Sequence, residues 1–315
     1  MLIVCTYLIL VFTTIAGTDT WEDHFSSGEA FARVGNYVKA SREFGLALRE
    51  AERFGPKDVR LVTTLTNLGV VDARLGHYHE AALVYRRAIA IYENFHPGLE
   101  GALATVLRDF AILNAAEHLW SSAERLYRRA YELEAKSPGP ALANTLNAMG
   151  ELAQERRRFT EAERLYGRAL AILEKSAADP LAAAVLQHNL ATLYRETGRK
   201  SEAGDLFARV ITTYERVAPR HPNFAIALRN YAEWQSDQGD TQGAEASFLR
   251  ALDICAASLS EGSPTGGIIL QAYSAFLSKA HRRKEAKAAA DRARAILQSF
   301  RGGAIDWRDL TLQPN

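Results

Sequence analysis

The sequence predicts an all-α array of stacked helix hairpins, and three observations carry that reading. A skeleton of alanine, an aromatic four positions on and a small residue three further recurs along the chain as Ala40/Phe44/Ala47, Ala81/Tyr85/Ala88, Ala123/Tyr127/Ala130, Ala162/Tyr166/Ala169, Ala203/Phe207/Val210 and Ala244/Phe248/Ala251, with a degraded Ala286/Ala290/Ala293 at the end. Its members fall on one helix face. The leading alanines are spaced by 41, 42, 39, 41, 41 and 42 residues, a period that belongs to stacked supersecondary units. Strand alternation is nowhere sustained, while apolar stripes of helical period are.

The chain begins with a run from Leu2 to Ala16 that carries no charged side chain, followed by Gly17 and the polar Thr18-Asp19-Thr20. Residues 1–17 read as a secretory signal peptide cut after Ala16 or Gly17, although no Lys or Arg precedes the apolar run. The expectation is therefore an exported protein, periplasmic or extracellular. The alternative is an uncleaved anchor formed by residues 2–17. Cys5 lies in this leader, so cleavage leaves Cys255 alone, expected as a buried and inert thiol.

The array is expected over 18–298, with repeats near 22–54, 61–95, 102–136, 141–176, 182–217, 223–258 and 266–298. Each repeat has a first helix marked thirteen residues before the leading alanine by Leu68, Phe110, Met149, Leu190, Tyr231 or Tyr273. A small residue follows directly (Gly69, Ala111, Gly150, Ala191, Ala232, Ser274; Ser27-Gly28 in the first repeat) and lets another helix approach closely. The breaks at Gly35, Gly76, Gly198 and Gly239 suit the left-handed conformation that ends a helix. Longer breaks around Pro56, Pro97, Pro138, Pro180, Pro222 and Pro264 separate the repeats, proline halting one helix and opening the next. Residues 299–315 form a tail or cap, in which Trp307 and Leu310 are candidates to cover the last hairpin.

Small–apolar pairs, Gly-x-aromatic turns (Gly35-Asn36-Tyr37, Gly76-His77-Tyr78) and Glu-Ala steps (Glu80-Ala81, Glu161-Ala162) together resemble the tetratricopeptide repeat. The 41–42-residue spacing, the LYxRAL-like second helix and the His-Pro linkers are similar to its kinesin light chain subtype. The resemblance covers about residues 22–298 and implies a right-handed superhelical solenoid of about seven helix hairpins. It departs at His118 and Arg157, where the turn glycine is expected, at Lys200 and Thr241, and at Ala290.

Composition excludes several classes. Lys and Arg number 38 against 37 Asp and Glu, a net charge of +1, so no overall field draws the chain to nucleic acid, and membrane contact is expected only through an uncleaved leader. The pair His77/His79 has no metal-ligand neighbours in sequence, and Gly262-Ser263-Pro264-Thr265-Gly266-Gly267 lacks the Lys-Ser/Thr of a phosphate loop. Glu151, Glu155 and Glu196 read as a charged helix face. No cofactor, metal or enzymatic activity is expected. Arginines six after the leading alanine (Arg87, Arg129, Arg168, Arg209, Arg250, Arg292) form a ladder read as solvated, with local i,i+4 pairs such as Glu124–Arg128 and Asp205–Arg209.

The expected function is an interaction scaffold that binds segments of other proteins. The alternative is a structural spacer or assembly subunit of an envelope complex with an idle groove. In the family that the chain resembles, first helices line the concave side. Carried over, this places Arg108, Asn144, Asn147, Glu151, Gln154, His188, Arg195, Arg229 and Glu233 in a groove, with Thr63, Thr66, Thr105 and Thr192. The amides would meet an extended backbone and the arginines acidic side chains or a free C-terminus.

Overall fold

A computed structural model describes residues 20–33, 35–176, 179–258 and 263–299; the leader, Cys5, Trp307 and Leu310 lie outside the described residues. Those residues form fourteen α-helices paired into seven hairpins: α1 (Trp21–Arg33) with α2 (Tyr37–Arg53), α3 (Val59–Arg74) with α4 (Tyr78–Phe95), α5 (Glu100–Ala116) with α6 (Trp120–Glu134), α7 (Pro140–Glu155) with α8 (Phe159–Lys175), α9 (Pro180–Glu196) with α10 (Lys200–Val217), α11 (Pro222–Asp237) with α12 (Thr241–Ser258), and α13 (Pro264–Lys279) with α14 (Arg283–Ser299). No strand occurs among the described residues.

Helix starts follow the prolines. Pro140, Pro180, Pro222 and Pro264 open α7, α9, α11 and α13, and Asp179, His221 and Ser263 accept a hydrogen bond from the backbone N–H two or three residues on. Proline at the first position removes an N–H that would lack a partner in any case. Hairpin turns share one geometry. Gly35, Gly76, Gly198 and Gly239 take φ between 75° and 86°, and His118, Arg157 and His281 take 58–60° in the equivalent places. In all seven turns the next N–H bonds back to the carbonyl five residues earlier, as in His77 to Asp72 (2.9 Å), Leu119 to Asn114 (2.8 Å) and Arg158 to Ala153 (2.8 Å). This bond closes the helix end. The departures at His118 and Arg157 therefore leave the turn intact and place the strain on the residue instead.

The aromatic of each skeleton is the keystone of its hairpin. Phe44, Tyr85, Tyr127, Tyr166, Phe207 and Phe248 are each at most 2% exposed. A Cβ built on Gly28, Gly69 or Gly150 would lie 2.7, 2.7 and 2.5 Å from the rings of Phe44, Tyr85 and Tyr166. The small residue thus lets another helix approach closely, and that helix is the second of its own hairpin, whose aromatic ring fills the space.

Repeats stack chiefly with the second helix of one against the first helix of the next, α2 on α3 through α12 on α13, and successive first helices also meet. α3 touches α5, α5 touches α7, α7 touches α9, α9 touches α11 and α11 touches α13, which puts the odd-numbered helices on the inner side of the curve. Charge bridges cross the junctions. The arginine ladder pairs with the preceding repeat, Arg87 with Glu52 (2.7 Å), Arg129 with Glu93, and Arg250 with Glu215 (2.6 Å), while Arg168 donates to the Tyr131 hydroxyl (2.9 Å). This corrects the expected pairing within one helix, since Glu124 is engaged by Arg156 and Arg158 from the next repeat. A second ladder runs along the turns: Arg158, Arg199 and Arg282 bridge back to Glu124, Glu163 and Glu245, and each also pairs with the glutamate three residues on, Glu161, Glu202 or Glu285. The glutamate of the Glu-Ala step thus steadies the arginine within its own turn, and the glutamate directly after the leading alanine takes it across the junction. Three junctions lack this pair: Ser41 and His77 stand in its place between the first and second repeats, Ala82 and Leu119 between the second and third, and Gly204 and Asp240 between the fifth and sixth. At the last of these the Trp234 ring lies over Gly204, where a Cβ would be 2.5 Å away, and its Nε1 donates to the Lys200 carbonyl (3.0 Å).

Cys255 is buried, and burial pushes its thiol up to about 12, so it is held as the neutral thiol. No described helix is long and apolar enough to cross a membrane.

Candidate functional site

The inner faces of α7, α9 and α11 enclose a cleft of about 610 Å³. Among the expected groove residues it is lined by Glu151, Gln154, His188, Arg195, Arg229 and Glu233. Asn144 is half-buried in α7 outside the lining, and Arg108 lies in α5, directed at Glu134 (3.5 Å) and Thr145 (3.4 Å). The threonines Thr63, Thr66, Thr105 and Thr192 bond to the carbonyl four residues earlier in their own helices.

Beneath the cleft lies a relay of polar side chains that spans three repeats. Asn147 Nδ2 donates to Glu151 Oε1 (2.9 Å), and Asn189 Nδ2 donates to both Asn147 Oδ1 (2.8 Å) and Glu151 Oε1 (3.1 Å). Asn230 Nδ2 lies 2.6 Å from His188 Nε2, and His188 Nδ1 lies 3.4 Å from Asn189 Oδ1. An amide nitrogen can only donate, so His188 Nε2 accepts and its proton sits on Nδ1. His188 is 2% exposed, and burial pushes its pKa down to about 3. The ring is a neutral strut between repeats.

This arrangement corrects two assignments. Asn147 was expected to meet a partner's backbone, yet it is 4% exposed with its amide used on both sides. Arg195 was expected to fork onto a partner's carboxylate, yet it already holds Glu233 (2.7 Å) and Asp237 (3.0 Å) across the α9–α11 junction. Burial alone would lower its pKa, but those two carboxylates outweigh it. Arg229 differs. Its side chain is 18% exposed, the ion pair it makes is a loose 3.7 Å contact with Glu233, and among the described residues its guanidinium donates no hydrogen bond. Burial lowers its pKa, with Glu233 opposing and Arg195 reinforcing that effect.

Sequence reasoning missed Asn189 and Asn230, each 5% exposed. Both stand immediately before the large apolar marker of the first helix, the place also held by Asn67 and Asp109, and that recurring polar position was a usable signal. It also missed the cleft's far wall. There Tyr166 donates to Gln154 Oε1 (3.0 Å), and Arg157 lies 5.5 Å from the centroid of the Phe159 ring. Among the described residues no group of three His, Cys, Asp or Glu side chains could hold a metal ion.

Helix hairpins stacked around a polar inner face define a helical-repeat interaction scaffold. The tetratricopeptide repeat family model matches residues 24–94, 102–175, 141–216 and 181–257, and the chain belongs to that family. No curated protein sequence matches it. Among solved structures it is similar to BtubC (BKLC) from P. vanneervenii (22% identity, TM-score 0.56, covering 73% of this chain and 92% of that one). It is also similar to a putative kinesin light chain from Podosopora anserina with nearly identical TPR-like repeats (20%, TM-score 0.50, 64% and 98%). A third is the Rap conjugation gene regulator of plasmid pLS20 in complex with the Phr* peptide (12%, TM-score 0.66, 89% and 74%). At these identities the likeness is one of fold.

Proposed function

We propose that the cleft between α7, α9 and α11 binds an extended segment of a partner protein, and that Arg229 receives a carboxylate of that segment, from an acidic side chain or a free C-terminus. The observation that carries this reading is Arg229 itself, a cation at the groove wall whose hydrogen-bonding capacity is unused by the described residues. A guanidinium presents five donors in a planar fork suited to a carboxylate. Glu151, Gln154 and Thr192 flank it with groups able to meet peptide amides. A fold shared with a regulator solved in complex with a peptide is compatible with this use of the inner face. Catalysis is not proposed, because the one buried histidine of the cleft is held neutral with both ring nitrogens engaged.

The test is a library of extended synthetic peptides that vary the position of one carboxylate, measured on the full chain by fluorescence anisotropy. Binders should lose roughly 10- to 100-fold in affinity when that carboxylate becomes an amide, the scale of a hydrogen bond to a charged group. Arg229→Gln should cause the same loss without changing the circular dichroism spectrum, and affinity should fall as salt rises. Binding that is indifferent to Arg229 and weakened instead by changes to Arg129 and Arg168 on the second-helix face would refute the groove assignment.

A further inference from the structure

One register position sets the cleft apart from the rest of the array. Seven residues before the leading alanine, in the last turn of the first helix, α1, α3 and α13 carry Arg33, Arg74 and Lys279, as the negative end of a helix favours; α5 has the neutral Ala116. The three cleft helices carry the opposite charge there, Glu155 in α7, Glu196 in α9 and Asp237 in α11. Carboxylates at the ends of adjacent helices repel one another and oppose the helix dipoles unless a cation joins them. Asp237 has two, Arg195 (3.0 Å) and Lys279 (3.5 Å). The Glu196 carboxylate has none among the described residues. It nevertheless faces the cleft, since burial pushes the Tyr166 hydroxyl up and the charges of Glu151 and Glu196 push it further. Arg157, the nearest other cation on that wall, lies over the Phe159 ring instead.

The cleft therefore has two poles. Arg229 stands fifteen residues before the leading alanine of its repeat and Glu196 seven before its own. Eight helix residues, about 12 Å, separate their levels, and α9 and α11 are roughly 8–10 Å apart, which puts the poles about 15 Å from one another. Four residues of extended chain cover about 13–14 Å. We propose that the segment bound here is bipolar: a carboxylate meets Arg229, and about three to five residues away a lysine or arginine meets Glu196, with Glu155 beside it. This rests on the groove being the binding surface and adds the charge pattern that the groove selects. Two opposite charges at a set separation also fix the direction in which the segment lies, which a single carboxylate leaves open.

The experiment uses the full chain and fluorescein-labelled synthetic peptides in which one aspartate and one lysine are set at graded separations, in both orders, in an uncharged background, read by anisotropy at low salt. Binding should be tightest at a separation of about three to five residues, and changing that lysine to glutamine should weaken it roughly three- to fivefold, the scale of an ion pair at an exposed site. Glu196→Gln should abolish this loss, and Glu196→Lys should reverse the preference, so that a second aspartate binds better than the lysine. Glu196 is exposed, so both variants should keep the parent's circular dichroism spectrum. A lysine that makes no difference to the parent, or one whose effect survives Glu196→Gln, overturns the proposal. If the aspartate still binds through Arg229 in that event, the bipolar reading alone fails; if no peptide binds through Arg229, the groove reading itself fails.

Discussion

His188 shows how a polar residue can serve the scaffold. Its neutral form alone fits, since Nε2 must accept from Asn230 while Nδ1 donates to Asn189. The folded pKa of about 3 lies below the usual histidine value of 6.5, so as pH falls below 6.5 the unfolded chain takes up a proton that the folded chain refuses. Stability should then decline with acidity, by at most about 1.4 kcal/mol per pH unit. Asp109 works the other way, because burial pushes its carboxyl up to about 6. The clean measurement is therefore the difference between parent and His188→Gln in urea denaturation from pH 7 to pH 4. The parent should lose more stability than the variant over that window, and parallel curves would contradict the buried neutral ring. Spacing alone marked His188 as inward-facing. It could not reveal that the side chain is a strut, because that depends on Asn230 in the next repeat.

At the level of elements the sequence was more informative where a residue type is dictated by backbone geometry. Gly35, Gly76, Gly198 and Gly239 mark turns that the structure places in the left-handed region. His118, Arg157 and His281 hide equivalent turns, because the helix-closing hydrogen bond is made by backbone atoms and survives a side chain. Holding a non-glycine residue there costs about 1–2 kcal/mol. His281 is exposed, and among the described residues its ring makes no aromatic contact, unlike that of His118 with Trp120 (4.9 Å). Replacing His281 with Gly should raise stability by about 1 kcal/mol, after allowing for glycine's greater freedom in the unfolded chain. A higher denaturation midpoint with an unchanged m-value is the expected result, and a lower midpoint would show that the ring contributes packing. The arginine ladder was visible as a periodic feature, but its partners lie 35 or 36 residues away, a distance that only repeat stacking makes short.

The whole molecule is a one-dimensional stack, and its period made it legible. The inner helices follow from the hairpin pattern; the difference between Arg195 and Arg229, both named from the sequence, was not legible, because it rests on burial and on prior pairing with Glu233 and Asp237. Truncating a keystone should expose the one-dimensional character. Tyr166→Ala removes a ring that is 1% exposed and should cost roughly 3–5 kcal/mol. Contacts reach mainly to the next repeat, so the loss should stay local. Hydrogen exchange should show protection lost from α5 to α10 and kept in α12 to α14, whereas uniform loss would mean that the array unfolds as one unit. The junctions add a final consequence. Three of them use the same arginine-to-glutamate clasp, so the fourth, fifth and seventh repeats present interchangeable plugs to interchangeable sockets. The junction of Trp234 on Gly204 accepts no such substitute, since a glutamate side chain at 204 would occupy the space of the indole. Duplication or shuffling of repeats is thus tolerated at the shared clasps and forbidden at this one, which keeps the fifth and sixth repeats, and the part of the cleft that they line, together as an indivisible pair.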